Sequence, residues 1–165
     1  MAASVATIDI GELGERIRRV AEVADVSYEP ALRQVAVLLA SETKQNFESS
    51  REPDGRPWKP LKVRKGKPLV DTGLLMASIA AAARSLDTTT PQTPVEVTGG
   101  AESQIDITPT SLVFGTRVDY ASYHQFGTGR IPAREFLGIT DAMVDKIGLI
   151  AEDFAEQTII DALGK

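Results

Sequence analysis

EPALRQVAVLLASETKQNFES, residues 29–49, followed after Ser50 by REPDGRPWKPLKVRKGKPLV, residues 51–70, is the stretch that decides the fold. In its first half Leu32, Val35, Ala36, Leu39, Thr43 and Phe47 recur at three- and four-residue steps, the spacing that lines up side chains on one face of a helix. Pro30 suits a first turn, where a missing N–H breaks no intrahelical bond. A helix is therefore predicted from about Glu29 to Ser49. The second half holds four prolines, two glycines and a Pro53-Asp54-Gly55 turn signal, which excludes a regular helix or a central strand. Residues 51–70 are read as one long, proline-rich basic loop.

Outward from this pair, Asp71 or Thr72 offers a side-chain oxygen as an N-cap, and Leu74, Leu75, Ile79 and Ala82 give a following helix its buried face, ending near Arg84. Upstream, Leu13, Ile17, Val20 and Ala21 mark a short amphipathic helix within an N-terminal segment, residues 1–28. Downstream, Leu86 to Pro94 has no apolar period, and residues 87–104 are read as a flexible insertion. Val95 to Thr98, Ile105 to Thr108 and Ser111 to Gly115 are short β-branched or alternating segments, separated by Gly99-Gly100 and Pro109-Thr110. They predict a small antiparallel sheet with Ile105 and Ile107 on one face and Asp106 and Thr108 on the other. After a short helix or turn around Tyr120 to Phe126 and a second loop, Thr140 caps a final helix within residues 140–165. Asp141 complements its dipole, and Met143, Ile147, Ile150, Ala151 and Phe154 form its stripe, extending to Ile159 or Ile160. The fold class is α+β: a small antiparallel β-sheet packed with about four helices, in a single domain (1–165) with long partner-facing loops.

The totals narrow the function. Apolar residues are 42% and charged residues 25% of 165, an ordinary globular balance for one core. With no cysteine, disulfides, thiolate metal sites and cysteine nucleophiles are excluded. A net charge of −5 argues against a dedicated nucleic-acid binder, which needs a clustered positive field. Met1 to Ile10 show neither a basic n-region nor an apolar h-region, and no stretch approaches the length of a membrane span, so a soluble protein made in the cytoplasm is expected.

Catalytic chemistry finds little footing. His124 is the one histidine, Ser122 is badly spaced to partner it on a helix, and no glycine-framed serine elbow precedes a helix. Gly127-Thr128-Gly129 lacks the lysine and the glycine spacing of a phosphate loop. Glu152, Asp153 and Glu156 lie opposite an apolar helix face and read as solvated, so no metal or cofactor is implied.

Two stretches stand out. Arg56 to Lys67 carries Arg56, Lys59, Lys62, Arg64, Lys65 and Lys67 and no acidic residue. One reading is a solvated loop; the other is an arm that meets an acidic surface or DNA, with Trp58 either anchoring the loop to the body or stacking on the partner. The second stretch runs from Tyr120 to Gly138. Tyr120 and Phe126 are expected in the core, while Pro132, Arg134 and Phe136 suggest an extended segment whose guanidinium meets a carboxylate, within the chain or across a subunit boundary. His124, Gln125, Arg130, Pro132 and Arg134 join the loop residues as the expected partner or subunit interface.

These stretches also carry a resemblance. Asn46-Phe47, Pro53-Asp54-Gly55-Arg56-Pro57-Trp58-Lys59-Pro60-Leu61, Leu69, Asp71-Thr72-Gly73-Leu74-Leu75 and Ser78-Ile79 resemble the first half of the phage virion morphogenesis family. Tyr120-Ala121, His124-Gln125-Phe126-Gly127, Ile131-Pro132-Ala133-Arg134 and Phe136-Leu137-Gly138 resemble its second half, in the same order and spacing. The likeness spans about Val35 to Ile150, with a shorter loop between Lys62 and Leu69 and a longer segment from Asp87 to Gln104 than the family pattern. It implies a structural, non-enzymatic tail completion protein that caps or finishes the tail and helps join it to the head, with no cofactor. By the same likeness it would act as a homo-oligomeric ring, a hexamer by analogy. It would be assembled in the host cytoplasm, reside in the tail or neck region of the virion, and contact the tail tube and neck or head-completion proteins but no membrane. The alternative is a DNA-binding accessory protein using the 56–67 loop.

Overall fold

The computed structural model describes residues 27–62, 65–84 and 103–163. The first predicted helix forms as α1, Glu29–Ser49, with Pro30 in its first turn and Ser50 closing it in a left-handed conformation, φ 56°. Its buried face is Ala31, Val35, Ala36, Leu39, Ala40, Thr43 and Phe47, the expected stripe widened by two alanines. Leu32, expected in that stripe, is half-buried and packs against Tyr28 and Ala31 instead.

Helix α2, Leu74–Arg84, packs across α1. Thr72 Oγ1 accepts the Leu74 N–H at 3.3 Å, the local bond that turns the chain into this helix. Strands β1, Ser103–Ile107, and β2, Leu112–Thr116, form an antiparallel hairpin in which Ile105 faces Phe114 and Ile107 faces Leu112. Its turn is closed by Thr108, whose Oγ1 accepts the Ser111 N–H at 3.0 Å. Asp106 is exposed while Ile105 and Leu112 pack on the core, as the alternation requires. A buried hydroxyl pair, Ser78 and Thr116 at 2.8 Å, ties α2 to β2. The expected strand Val95 to Thr98, the N-terminal helix and most of the 87–104 insertion lie outside the described residues; Ser103 and Gln104 belong to β1.

The short helix α3, Ala121–Phe126, precedes the second loop. The last helix, α4, Asp141–Leu163, is capped by Thr140, whose Oγ1 accepts the Met143 N–H at 3.3 Å. It runs antiparallel to α1: Lys146 pairs with Glu42 at 2.6 Å near its start, and Phe154 meets Tyr28 at 5.2 Å further on. One core joins all these parts, through Leu39, Phe47, Trp58, Leu75, Ile79, Phe114, Phe136 and Ile147 among others.

Three expectations about side-chain direction are corrected. Tyr120 and Phe126 are not core residues; they are 37% and 75% exposed. In α3 the inward positions are taken by Ala121 and Gln125, one helical turn apart, which turns the aromatic rings outward. Ile159 and Ile160 do not extend the stripe of α4; they are 59% and 54% exposed, since Phe154 already packs on Tyr28, the residue just before α1, and Ile159 and Ile160 follow beyond that contact.

Phe47 is fully buried between Trp58 and Phe136, with ring centroids 5.5 Å from each. Phe47→Ala should destabilise the protein by about 3–5 kcal/mol in urea unfolding, against less than about 0.5 kcal/mol for Val37→Ala on the outer face of α1.

Candidate partner interface and the hub behind it

The prolines and turn residues of the basic loop forbid regular structure, so its backbone polar groups need individual partners. Asp54 supplies the first. Its carboxylate accepts the Arg56 N–H at 3.0 Å and binds the Arg56 guanidinium, which also pairs with Glu52 at 3.0 Å. The Arg56 N–H, then its guanidinium, hold the Asp54 carboxyl below the usual carboxylate range, and Asp54 in turn raises Arg56. Arg56 is thus occupied inside the loop.

The loop is then pinned to the body through Trp58. This ring is 4% exposed, stands edge-on to Phe47 and donates from Nε1 to the Glu135 carbonyl at 2.7 Å. Of the two readings left open for Trp58, the anchor is the one found. Arg134 returns the contact: at 4% exposure, its Nε donates to the Lys59 carbonyl at 2.7 Å and its Nη2 to the Pro60 carbonyl at 3.1 Å. Backbone carbonyls of the loop thus meet the guanidinium at two of its nitrogens. Trp58 and Arg134, both placed at a partner face by the sequence, are therefore inside the protein.

Residues 134–137 form an extended strap held by side chains from three directions. Asn46 on α1 donates to the Phe136 carbonyl at 3.2 Å and Trp58 takes the Glu135 carbonyl. Gln125 on α3 donates to the Leu137 carbonyl at 2.6 Å and accepts the Phe136 and Leu137 N–H groups at 3.1 and 3.2 Å. The Arg134 N–H reaches the His124 carbonyl at 2.7 Å. Two glycines make the approach possible. Gly127 sits at φ 73°, and a Cβ there would lie 2.7 Å from the Ala133 nitrogen; one on Gly138 would lie 2.9 Å from Pro53.

His124 is half-buried beside Arg134, and its Nδ1 is buried without a hydrogen-bond partner. Burial, then the Arg134 charge, push its pKa below the ordinary histidine value, so the ring is neutral at pH 7. It lines an open cleft of about 500 Å³ with Arg134, Tyr120, Leu61, Leu69 and Leu74. Among the described residues no group of three or more His, Asp or Glu side chains is placed to hold a metal ion, and no helix is long and apolar enough to cross a membrane.

The loop itself presents basic side chains outside this hub. Lys59, Lys62 and Lys65 expose their side chains and have no ion pair among the described residues. Lys67 is also exposed, with Nζ donating to the Glu48 carbonyl at 3.2 Å in the last turn of α1, where a cation suits the helix dipole. Arg130 is exposed on the second loop, and Pro132 is half-buried. Arg64 lies outside the described residues. The residues that sequence reasoning missed are the clamps Asn46 and Gln125. Gln125 was assigned to an interface and Asn46 noticed only inside a motif, since a polar side chain in a helix gives no sign of the distant backbone it will meet.

A small α+β domain results, whose short motifs fasten one basic loop to one strap. The chain belongs to the phage virion morphogenesis family, which matches residues 8–154. It is 35% identical over 137 residues to the Mu-like prophage FluMu G protein 2 of Haemophilus influenzae, covering 78% of each chain. No solved structure matches it.

Two measurements check the hub. Trp58→Phe keeps an aromatic ring, though a smaller one, but strands the Glu135 carbonyl, and should cost at least about 1–3 kcal/mol in chemical denaturation. For His124 the lowered native pKa means that the unfolded chain binds the proton more readily. Its contribution to stability is therefore full above the ordinary histidine pKa of about 6.5 and is lost as the pH falls from there through the lowered native value. The stability difference between wild type and His124→Gln should change between pH 7.5 and pH 5 in that direction, measured by urea midpoints.

Proposed function

We propose that this protein is a structural tail completion subunit, which caps or finishes the phage tail and helps join it to the head. Its role is assembly rather than catalysis, and it works in the tail or neck region of the virion. The observation that carries the reading is the family match over residues 8–154, from the N-terminal segment into α4. The similarity to a protein named for a Mu-like prophage agrees with it.

The geometry supports the same role. A loop pinned by Trp58 and Arg134 presents Lys59, Lys62 and Lys65 from a fixed base, which lowers the ordering cost of docking. The remainder of an acidic chain supplies complementary charge, and such pairing sets partner choice and orientation. We assign the exposed lysines, with Arg130 on the second loop, to contacts with neighbouring subunits in a ring or with the tail tube and the neck or head-completion proteins.

Reversing Lys62, Arg64 and Lys65 to glutamate should leave the monomer folded and stop tail completion. The readout is the yield of finished tails by electron microscopy when the variant replaces the natural copy in an induced lysogen. Normal tails in that experiment would remove the loop from the mechanism. The exposed lysines also keep a DNA-binding accessory role in view, and its signature is affinity that falls steeply with added salt. Absence of DNA binding near 150 mM salt, roughly physiological ionic strength, would eliminate it.

A further inference from the structure

We infer that the distal half of α4 is the surface that receives the basic loop of a second copy of this chain, so that copies join head to tail. This rests on the assembly reading above and names both sides of one contact.

The acceptor surface follows from helix geometry. Leu149, Asp153, Glu156 and Ile160 succeed one another at steps of four, three and four residues, which places them in a single stripe. Glu152, Glu156 and Ile159 form the adjoining one. All of these side chains are exposed, Leu149 at 60%, Ile159 at 59% and Ile160 at 54%. Between Ile147 and Leu163 the sequence has Glu152, Asp153, Glu156 and Asp161 and no lysine or arginine. Glu152, Asp153 and Glu156 have no ion pair among the described residues. Purely solvated helix faces do not need three large aliphatic side chains among their carboxylates.

The loop is its complement in both respects. Lys59, Lys62 and Lys65 provide the charge, and the exposed Pro57 and Pro60 provide apolar surface between them. Position then decides where the two can meet. The loop is fastened at the C-terminal end of α1, where Trp58 meets Phe47 and Lys67 meets Glu48. The distal half of α4 lies at the other end, where Phe154 meets Tyr28. From Phe47 back to Tyr28, α1 rises roughly 28 Å at 1.5 Å per residue. A lysine cannot span that distance, so the two surfaces cannot neutralise each other within one chain.

Between copies they can. The contact uses different surfaces on its two sides, so each added copy leaves one basic and one acidic face open until the chain of copies closes. Opposite charges set the direction, and Leu149, Ile159 and Ile160 come out of water against Pro57 and Pro60.

The test uses the full chain and light scattering over a concentration series at low salt. Wild type should give a discrete multiple of the protomer mass. The loop reversal, Lys59→Glu with Lys62→Glu and Lys65→Glu, should weaken self-association at least tenfold. The helix reversal, Glu152→Lys with Asp153→Lys and Glu156→Lys, should do the same. Combining all six in one chain, or mixing the two reversed proteins in equal amounts, should restore the wild-type mass, because opposite charges again face each other. Circular dichroism and the fluorescence of buried Trp58 verify that each variant is folded. A wild type that stays monomeric, or a reversed protein that associates as wild type does, would overturn the inference. So would two reversed sets that fail to rescue each other, which would mean that a different protein occupies the helix face. The lysogen experiment separates this from the functional reading: a loop reversal that abolishes tails but leaves self-association unchanged sinks the helix contact and leaves the assembly role standing.

Discussion

An extended strap that pairs with no strand among the described residues sets the terms for the rest of this structure. Arg134, Phe136 and Leu137 of residues 134–137 are buried, and buried N–H and C=O groups without partners would each cost about 1–3 kcal/mol. Asn46, Trp58 and Gln125 meet that requirement from α1, the basic loop and α3, and Arg134 sends its own donors back to Lys59 and Pro60. Since each partner sits on a different element, satisfying one short stretch of backbone fixes the relative positions of all of them. The aromatic contacts of Phe47 with Trp58 and Phe136 fill the space that these bonds enclose.

Arg134 shows why the arrangement is reciprocal. A charge that is almost wholly withdrawn from water is tolerated only when its donors are met with good geometry. The loop carbonyls can do this because the prolines keep them from any ladder of their own, so what breaks regular structure in the loop also leaves acceptors for the guanidinium. The same charge raises the cost of protonating His124, which stays neutral with an unpartnered Nδ1 at the edge of the cleft.

The division of labour among the motif residues follows. Asn46, Phe47, Trp58, Gln125, Gly127, Arg134 and Phe136 act inside the chain, building a support. The lysines between and beside them face outward, as do the carboxylates and aliphatic side chains of distal α4. Most of the motif residues thus build a shaped support, and the charged side chains it carries are left at the surface.

The sequence by itself determined the elements: the limits of α1, the break at residue 51, the start of α2 near Thr72, the hairpin strands and the Thr140 cap. Each depends on backbone dihedrals and on neighbours within a few positions, so periodicity, proline, glycine and capping residues suffice to place it. Tertiary structure alone decided direction. Trp58 reaches Glu135 across 77 positions, Arg134 reaches Lys59 across 75, and Asn46 reaches Phe136 across 90. Tyr120 and Phe126 turn outward because Gln125 is needed inward, and Ile159 and Ile160 are exposed because they follow beyond the contact of Phe154 with Tyr28. Local pattern tells a side chain which face of its own element it is on; only the packed neighbour decides whether that face meets water, a hydrogen-bond partner or the core.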